Sequence, residues 1–520
     1  MRGCGGYEGG QTDPLATGDM APTAVVRERP RRCYPPPPMT RTLLAAIALA
    51  ASLVGCDRAP METPTVALSD CRLPSGAAAQ CATFDVPENP DAPEVRTLSL
   101  SVAVVPAREP EGEPPVVLIA GGPGQASQAA YGAALSAFDA IREHHDLVLL
   151  DQRGTGKSHA LRCEETQVLD LKAAVTMQVD EERLRTCRDA QDADLTQYTT
   201  ARAVEDLDHV LAQLGYAKAH LVGGSYGTRV ALAFARAHPE RTASIVIDGV
   251  APPDFAMPVS FAKDAEAAMD AMVRDCETDE ACAAAFPTLR ADLRALATRP
   301  PSEVTVKHPR TGAPEAVELG GRVLAGGMRG LLYAPELAAL LPLSIASATR
   351  GDFGPIVAQA ALLGDGMGSG LSEGMFLSVI CAEDVPFITE ELAAEETAGT
   401  LMGTMFIDHL RASCAQWVQA PIPEGFRDPV VSDVPALVFS GELDPVTPPR
   451  WGAHALEGLA NGRHVVVPGA GHGVVVLPCA DEVLASFFAS GDAASVDASC
   501  LESRRRPPFF IDFAGPQVNP

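Results

Sequence analysis

At 520 residues, with 47% hydrophobic and 21% charged side chains, the chain is long enough for one large globular domain with an insertion, or for two domains, and its composition excludes a disordered chain. Acidic residues number 67 against 40 basic, a formal net charge of −27. No basic stripe is available to neutralise phosphates, which excludes nucleic acid as a partner.

Met39 opens the run MTRTLLAAIALAASLVGC. Arg41 supplies a positive start, and the apolar stretch Leu43–Val54 is too short for a bilayer span but has the length of a signal-peptide core. Its ending, Leu53-Val54-Gly55-Cys56, resembles the bacterial lipobox, in which the cysteine is lipidated and becomes the first mature residue. Residues 39–55 are therefore expected to be a lipoprotein signal peptide, and 56–69 a linker behind lipidated Cys56. Residues 1–38, with the run Pro35–Pro38, resemble no export signal. They read as a non-native or disordered extension, with translation expected to begin at Met39. The implied location is the cell envelope, on the periplasmic side of a bacterial membrane, with the membrane as partner through the lipid anchor.

Thirteen cysteines remain to be explained. Setting aside Cys4, Cys33 and Cys56 leaves an even set, as suits an oxidising compartment. Pairing sequence neighbours gives Cys71–Cys81, Cys163–Cys187, Cys276–Cys282, Cys381–Cys414 and Cys479–Cys500, one of about 945 possible arrangements. No CxxC or Cys/His cluster has zinc spacing, so no metal and no cofactor are expected.

Further along, short continuous apolar runs read as buried strands: residues 115–120, 146–150, 221–222, 245–247, 436–439 and 464–467. Between them, Val204, Leu207, Val210, Leu211 and Leu214 recur at helical spacing behind Glu205 and Asp206. Alternation of this kind predicts an α/β fold with a mostly parallel central sheet flanked by helices. Residues 252–430 differ, being rich in Ala and Leu at helical spacing, as in 265–274 and 336–348. They are expected to form a large helical cap inserted between a first core part, 70–251, and a second, 431–513, followed by a tail at 514–520.

The chemistry gathers at three joints. Apolar strand, Gly223-Gly224-Ser225-Tyr226-Gly227, then apolar helix is the context of a G-x-S-x-G nucleophile elbow. A serine hydroxyl is a weak nucleophile and needs a base held by an acid, in this fold in the chain order Ser, Asp, His. Asp444 lies just past the strand at 436–439, and His472 lies in a glycine loop after the strand at 464–467. Asp248, also behind a strand, is the rival acid, with Glu442 behind it. The turn Ala120-Gly121-Gly122-Pro123-Gly124 offers an oxyanion hole. Pro123 has no N–H, so the Gly122 amide is paired in this reading with that of Tyr226. The sequence around Gly154-Thr155-Gly156-Lys157-Ser158 is not a P-loop, because Asp151 stands where that motif needs glycine.

Together, residues 119–124, 151–158, 223–227, 441–448 and 471–473 resemble the exported tripeptidyl-aminopeptidase and prolyl-aminopeptidase branch of the α/β-hydrolases, over about residues 70–513. The resemblance implies an α/β-hydrolase core with a helical cap. It also implies release of tripeptides or proline-containing N-terminal peptides through an acyl-enzyme, with a free-N-terminus peptide as substrate. By the same resemblance, Asp151 and Arg153 support a strand-end loop. Ala120 stands where the prolyl-aminopeptidases usually carry His, which weakens the transfer of single-proline specificity. The segment Val379–Asp384 resembles a segment of the same branch, and Glu383 and Asp384 are its candidates for binding the substrate ammonium. The alternative for these acids is an acidic helix surface. For the whole chain, the alternatives are a serine carboxylesterase and a catalytically silent binding lipoprotein.

Overall fold

The computed structural model describes residues 66–163, 171, 178–368 and 370–516. The extension, the signal peptide, Cys56 and most of the linker lie outside the described residues. Three antiparallel strands come first: β1 (Ser69–Arg72), β2 (Ala78–Pro87) and β3 (Thr97–Val105). They are followed by β4 (Val116–Ile119), β5 (Leu147–Leu150), β6 (Ala219–Gly224) and β7 (Thr242–Asp248). A separate antiparallel hairpin, β8 (Ser302–Lys307) with β9 (Pro314–Leu319), sits in the cap. The last strands are β10 (Ala436–Gly441) and β11 (Gly462–Val467).

Among the described residues, nine strands form one sheet in the order β1-β2-β3-β5-β4-β6-β7-β10-β11. From β5 to β11 every neighbouring pair is parallel. This arrangement explains the continuous apolar runs, since a parallel strand covered on both faces has no side to give to water. Leu147, Val148 and Leu149, for example, are all fully buried. All six strands expected from the apolar runs are present. The edge strands β1–β3 were not expected. They are half-buried, with Phe84, Val86, Leu98 and Leu100 inside and Asp85 and Ser99 outside, where Ser99 Oγ donates to Asp85 Oδ1 at 2.6 Å.

The helices that matter to the site are α1 (Thr200–Gln213), α2 (Tyr226–Ala237), α3 (Phe261–Thr278), α4 (Gly321–Leu331), α5 (Gly354–Gly368), α6 (Glu373–Glu383) and α7 (Met405–Cys414). The cap is helical with two departures from the expectation. The β8–β9 hairpin interrupts it, burying Val306, Val317 and Leu319. The helix expected over 336–348 is two helices, Pro335–Ala338 and Leu341–Thr349, because Pro342 opens the second and cannot continue the first. The cap carries its own core, in which Met269, Met272, Leu324, Met328, Leu331 and Ile345 pack together. All five neighbour pairings of cysteine are disulfides in the structure.

Candidate active site

The joint between β6 and α2 is steric necessity. A Cβ on Gly223 would lie 2.3 Å from the Gly227 carbonyl oxygen, and one on Gly227 would lie 2.2 Å from that of Ile119. Only glycine lets strand and helix approach so closely. Between them Ser225 sits at φ 54°, in a region that side-chain-bearing residues rarely adopt. Its amide donates to the Asp248 carbonyl at 2.9 Å, and its own carbonyl accepts from Thr228 Oγ1 at 2.6 Å. The turn is thus anchored on both sides, with Ser225 only partly buried.

Asp444 and His472 meet as expected. His472 Nδ1 and Asp444 Oδ2 are 2.7 Å apart, and Asp444 is 1% exposed. The carboxylate also accepts from the Val446 amide at 2.8 Å, the Thr447 amide at 3.0 Å and Thr447 Oγ1 at 2.9 Å. Burial works to raise the Asp444 pKa, but the charge and hydrogen bond of His472, with the two amides, hold it below the ordinary range. Burial likewise works to lower that of His472, yet the charge and hydrogen bond of Asp444, and the charge of Asp248, carry it above the ordinary value. The pair therefore favours an imidazolium, the state a base reaches after taking a proton.

Asp248, the rival acid, does a different task. Its Oδ2 accepts the Val474 and Val475 amides at 2.6 and 2.9 Å, which fixes the loop just behind His472. Gly249 lies under the imidazole, where a Cβ would be 3.0 Å from His472 Cε1. From above, Tyr333 packs edge-on against the ring at 5.2 Å and accepts the His472 amide at 2.9 Å. Among the described residues, the hydrogen bonds of the ring go to Asp444 and Thr447, and none links it to the Ser225 hydroxyl. The two are neighbours through Asp248 and Gly249, since β7 both holds the Ser225 amide and floors the histidine. Contacts of this kind are often long before substrate binds.

The loop after β4 lies against the serine, where a Cβ on Gly121 would be 2.8 Å from Ser225 Cβ. Gly122 takes φ +105°. Among the described residues, no acceptor takes the Gly122 or Tyr226 amide.

Glu383 and Asp384 require a correction. Both are fully buried. Glu383 accepts from the Thr200 amide and Oγ1, each at 2.7 Å, and from Arg229 Nη1 at 3.3 Å. Asp384 accepts from Arg229 at 2.8 and 3.1 Å and from the Met257 amide at 3.2 Å. Both are shut away from solvent and held by a buried guanidinium and neighbouring donors, so neither is open to a substrate ammonium or forms an acidic surface. The pair instead ties α6 of the cap to α2, which begins at the elbow. Thr200 extends the network to the hydroxyl of Tyr226 at 2.7 Å. Arg229 was the residue missed; its signal was a lone cation immediately before the apolar run Val230–Ala235. Asp151 and Arg153 are buried supports: Asp151 accepts the Gln128 and Lys157 amides, and Arg153 holds Asp206 by two hydrogen bonds of 2.7 Å.

Comparison with known proteins agrees with this architecture. The family model described as alpha/beta hydrolase fold matches residues 114–285, and the one described as TAP-like protein matches residues 400–500. The chain is 28% identical to serine protease Hip1 of Mycobacterium tuberculosis over 514 residues, covering 88% of this chain and 96% of that protein. It is 30% identical to the proline iminopeptidase of Xylella fastidiosa over 146 residues, covering 27% of this chain and 33% of that one. With an α/β sheet carrying a serine elbow, the chain has the α/β-hydrolase fold and is a serine hydrolase, similar to proteins of the aminopeptidase and protease branch.

Proposed function

We propose that the chain is an exported aminopeptidase that releases tripeptides or proline-containing N-terminal peptides through Ser225, His472 and Asp444. Ser225 Oγ attacks the scissile carbonyl carbon while His472 Nε2 takes its proton. The resulting oxyanion is received by the Gly122 and Tyr226 amides. His472 then returns the proton to the leaving amine, which departs and leaves an acyl-enzyme. Water attacks this ester by the same route in reverse, with His472 again as base. The observation that carries the reading is the 2.7 Å contact between His472 and the buried Asp444, on loops floored by the strand that anchors the elbow.

Residues 39–56 support export and lipid anchoring through Cys56 at the envelope, and five disulfides suit an oxidising compartment. In this proposal 70–251 and 431–513 form the core, and 252–430 the cap. A carboxylesterase is the second reading. It is favoured by the engagement of Glu383 and Asp384 with Arg229, which removes them as receptors for a substrate ammonium. A panel of tripeptide and prolyl amides, free or acetylated, beside a p-nitrophenyl ester separates the two. The peptidase reading requires cleavage of the free-amine amides that is lost in Ser225→Ala. Turnover confined to the ester would establish the second reading in its place.

A further inference from the structure

Arg329 is a buried cation without an acid. It projects from α4, is 7% exposed, and forms no ion pair among the described residues. Its Nη2 donates to the Tyr333 hydroxyl at 3.2 Å, whereas its Nε has no hydrogen-bond partner. Aromatic faces surround the guanidinium instead, with ring centres at 4.1 Å for Phe261, 5.0 Å for Phe406 and 5.4 Å for Tyr333. Such rings attract a cation, but they do not satisfy its N–H groups. A buried charge of this kind is normally paired. The other buried arginines near the cap follow that rule: Arg229 holds Asp384 and Glu383, and Arg153 holds Asp206.

Arg329 is among the residues lining a mainly apolar cavity of about 180 Å³ between α4 and α5, together with Phe406. Gly326, Gly327 and Gly330 of α4 are in its lining, and a Cβ on Gly327 would stand 3.2 Å from that of Ala360. Glycine inside a helix costs roughly 1 kcal/mol against alanine, so three in one short helix is an expensive way to line an ordinary core. Arg329 links the cavity lining to the reactive centre through Tyr333. Tyr333, which the guanidinium touches, is the residue packed on His472, and the Arg329 charge is among those acting on that imidazole.

We propose that this cavity is a substrate subsite for a carboxylate carried on an apolar stem, with Arg329 as the specificity residue that binds it. The inference deepens the hydrolase reading above and rests on it. Its planar fork of donors matches a carboxylate, and the rings hold it in place before substrate arrives. Two parts of a peptide bring that chemistry: an acidic side chain near the scissile bond, or the free C-terminal carboxylate of a short substrate.

The test uses the full chain. Chromogenic tripeptide amides ending in Glu or its isostere Gln report the first source, and short peptides with a free or amidated C-terminus report the second. The subsite predicts that one pair differs by about tenfold or more in kcat/KM in favour of the carboxylate, carried mainly by KM. Glutarate should compete with that substrate. In Arg329→Met the ratio should fall to about one, and Arg329→Lys should keep part of it. No discrimination within either pair and no competition by glutarate in the wild type would overturn the subsite. So would an unchanged ratio in an Arg329→Met protein that still labels with a fluorophosphonate. Should that variant fail to label, the wild-type ratios and Arg329→Lys decide. Absence of wild-type labelling at Ser225 would instead refute the hydrolase reading, and calorimetric binding of glutarate would still judge the cavity.

Discussion

Arg229 and Asp384 form a two-point ion pair, at 2.8 and 3.1 Å, that joins the helix starting at the elbow to the end of cap helix α6. Both side chains are excluded from water. Removing one partner of such a pair leaves an uncompensated buried charge, which costs about 3–5 kcal/mol. Arg229→Met should therefore lower the urea midpoint strongly, and Asp384→Asn should do so by less, because the amide oxygen still accepts. The double variant should recover part of the loss. Equal stability of Arg229→Met and wild type by chemical denaturation would contradict the pairing.

The elbow glycines are not equivalent. Gly227→Ala drives a methyl group to 2.2 Å from a carbonyl oxygen, whereas on Gly224 the nearest atom is the Tyr131 hydroxyl at 3.0 Å. Backbone cannot yield as a hydroxyl can. Gly227→Ala should abolish soluble folded protein or cost several kcal/mol, on the order of the larger overpacking penalties. Gly224→Ala should fold with a modest loss in melting temperature.

With His472 as the proposed base, its raised pKa should set the acid limb of activity. Because the base must be neutral to accept the serine proton, kcat/KM should rise with an apparent pKa above the ordinary 6.5. Asp444→Asn removes the charge that holds it there. In that variant the limb should move to lower pH while kcat falls by about 10⁴-fold, the size of effect known where a triad acid becomes an amide. A pH–rate profile of the two proteins reads both changes. The same pair contributes to stability in opposite windows. The depressed Asp444 stabilises above its unfolded value and the contribution is lost as pH falls through its folded pKa. The raised His472 stabilises below its unfolded value and the contribution is lost as pH rises through its folded pKa.

Asp248 has the reverse sign. Burial pushes its carboxyl up to about 6, against the two amides and the imidazole that pull it down. Between its unfolded value of 3.8 and that pKa the native state binds the extra proton, so this group makes stability decline as pH rises. In Asp248→Asn the carbonyl oxygen keeps the Val474 and Val475 amides without the buried charge. Its stability, measured by urea midpoint across this window, should decline less with rising pH than that of the wild type. An unchanged slope would show that Asp248 is already ionised throughout.

The sequence made the central sheet readable wherever strands are covered on both faces, as at Leu147–Leu150, because continuous apolar residues have no other use at that length. Strands β1–β3 and the β8–β9 hairpin were hidden for the opposite reason. The hairpin, β2 and the start of β3 turn one face to water, as at Glu303 and Glu318, and look like any polar stretch beside the Ala- and Leu-rich helices, whereas Val102–Val105 of β3 is a continuous apolar run buried on both faces that was left unread. The strand-end positions of Ser225, Asp444 and His472 were legible because an open α/β sheet presents side chains to a ligand there. Glu383 and Asp384 were misread because nothing in their own segment reveals Arg229, a partner far away in the chain. The role of Asp248 was equally invisible, since it is carried by backbone amides that have no sequence signature.

The most direct test of the account is the rate at which a fluorophosphonate labels the protein, with the modified residue located by peptide mass spectrometry. If the hydroxyl at 225 is activated by the buried histidine–aspartate pair, the label falls on Ser225 alone, disappears in Ser225→Ala, and slows by several orders of magnitude in His472→Ala and Asp444→Asn folded like the wild type. Labelling at another residue, or at an undiminished rate without His472, would contradict it.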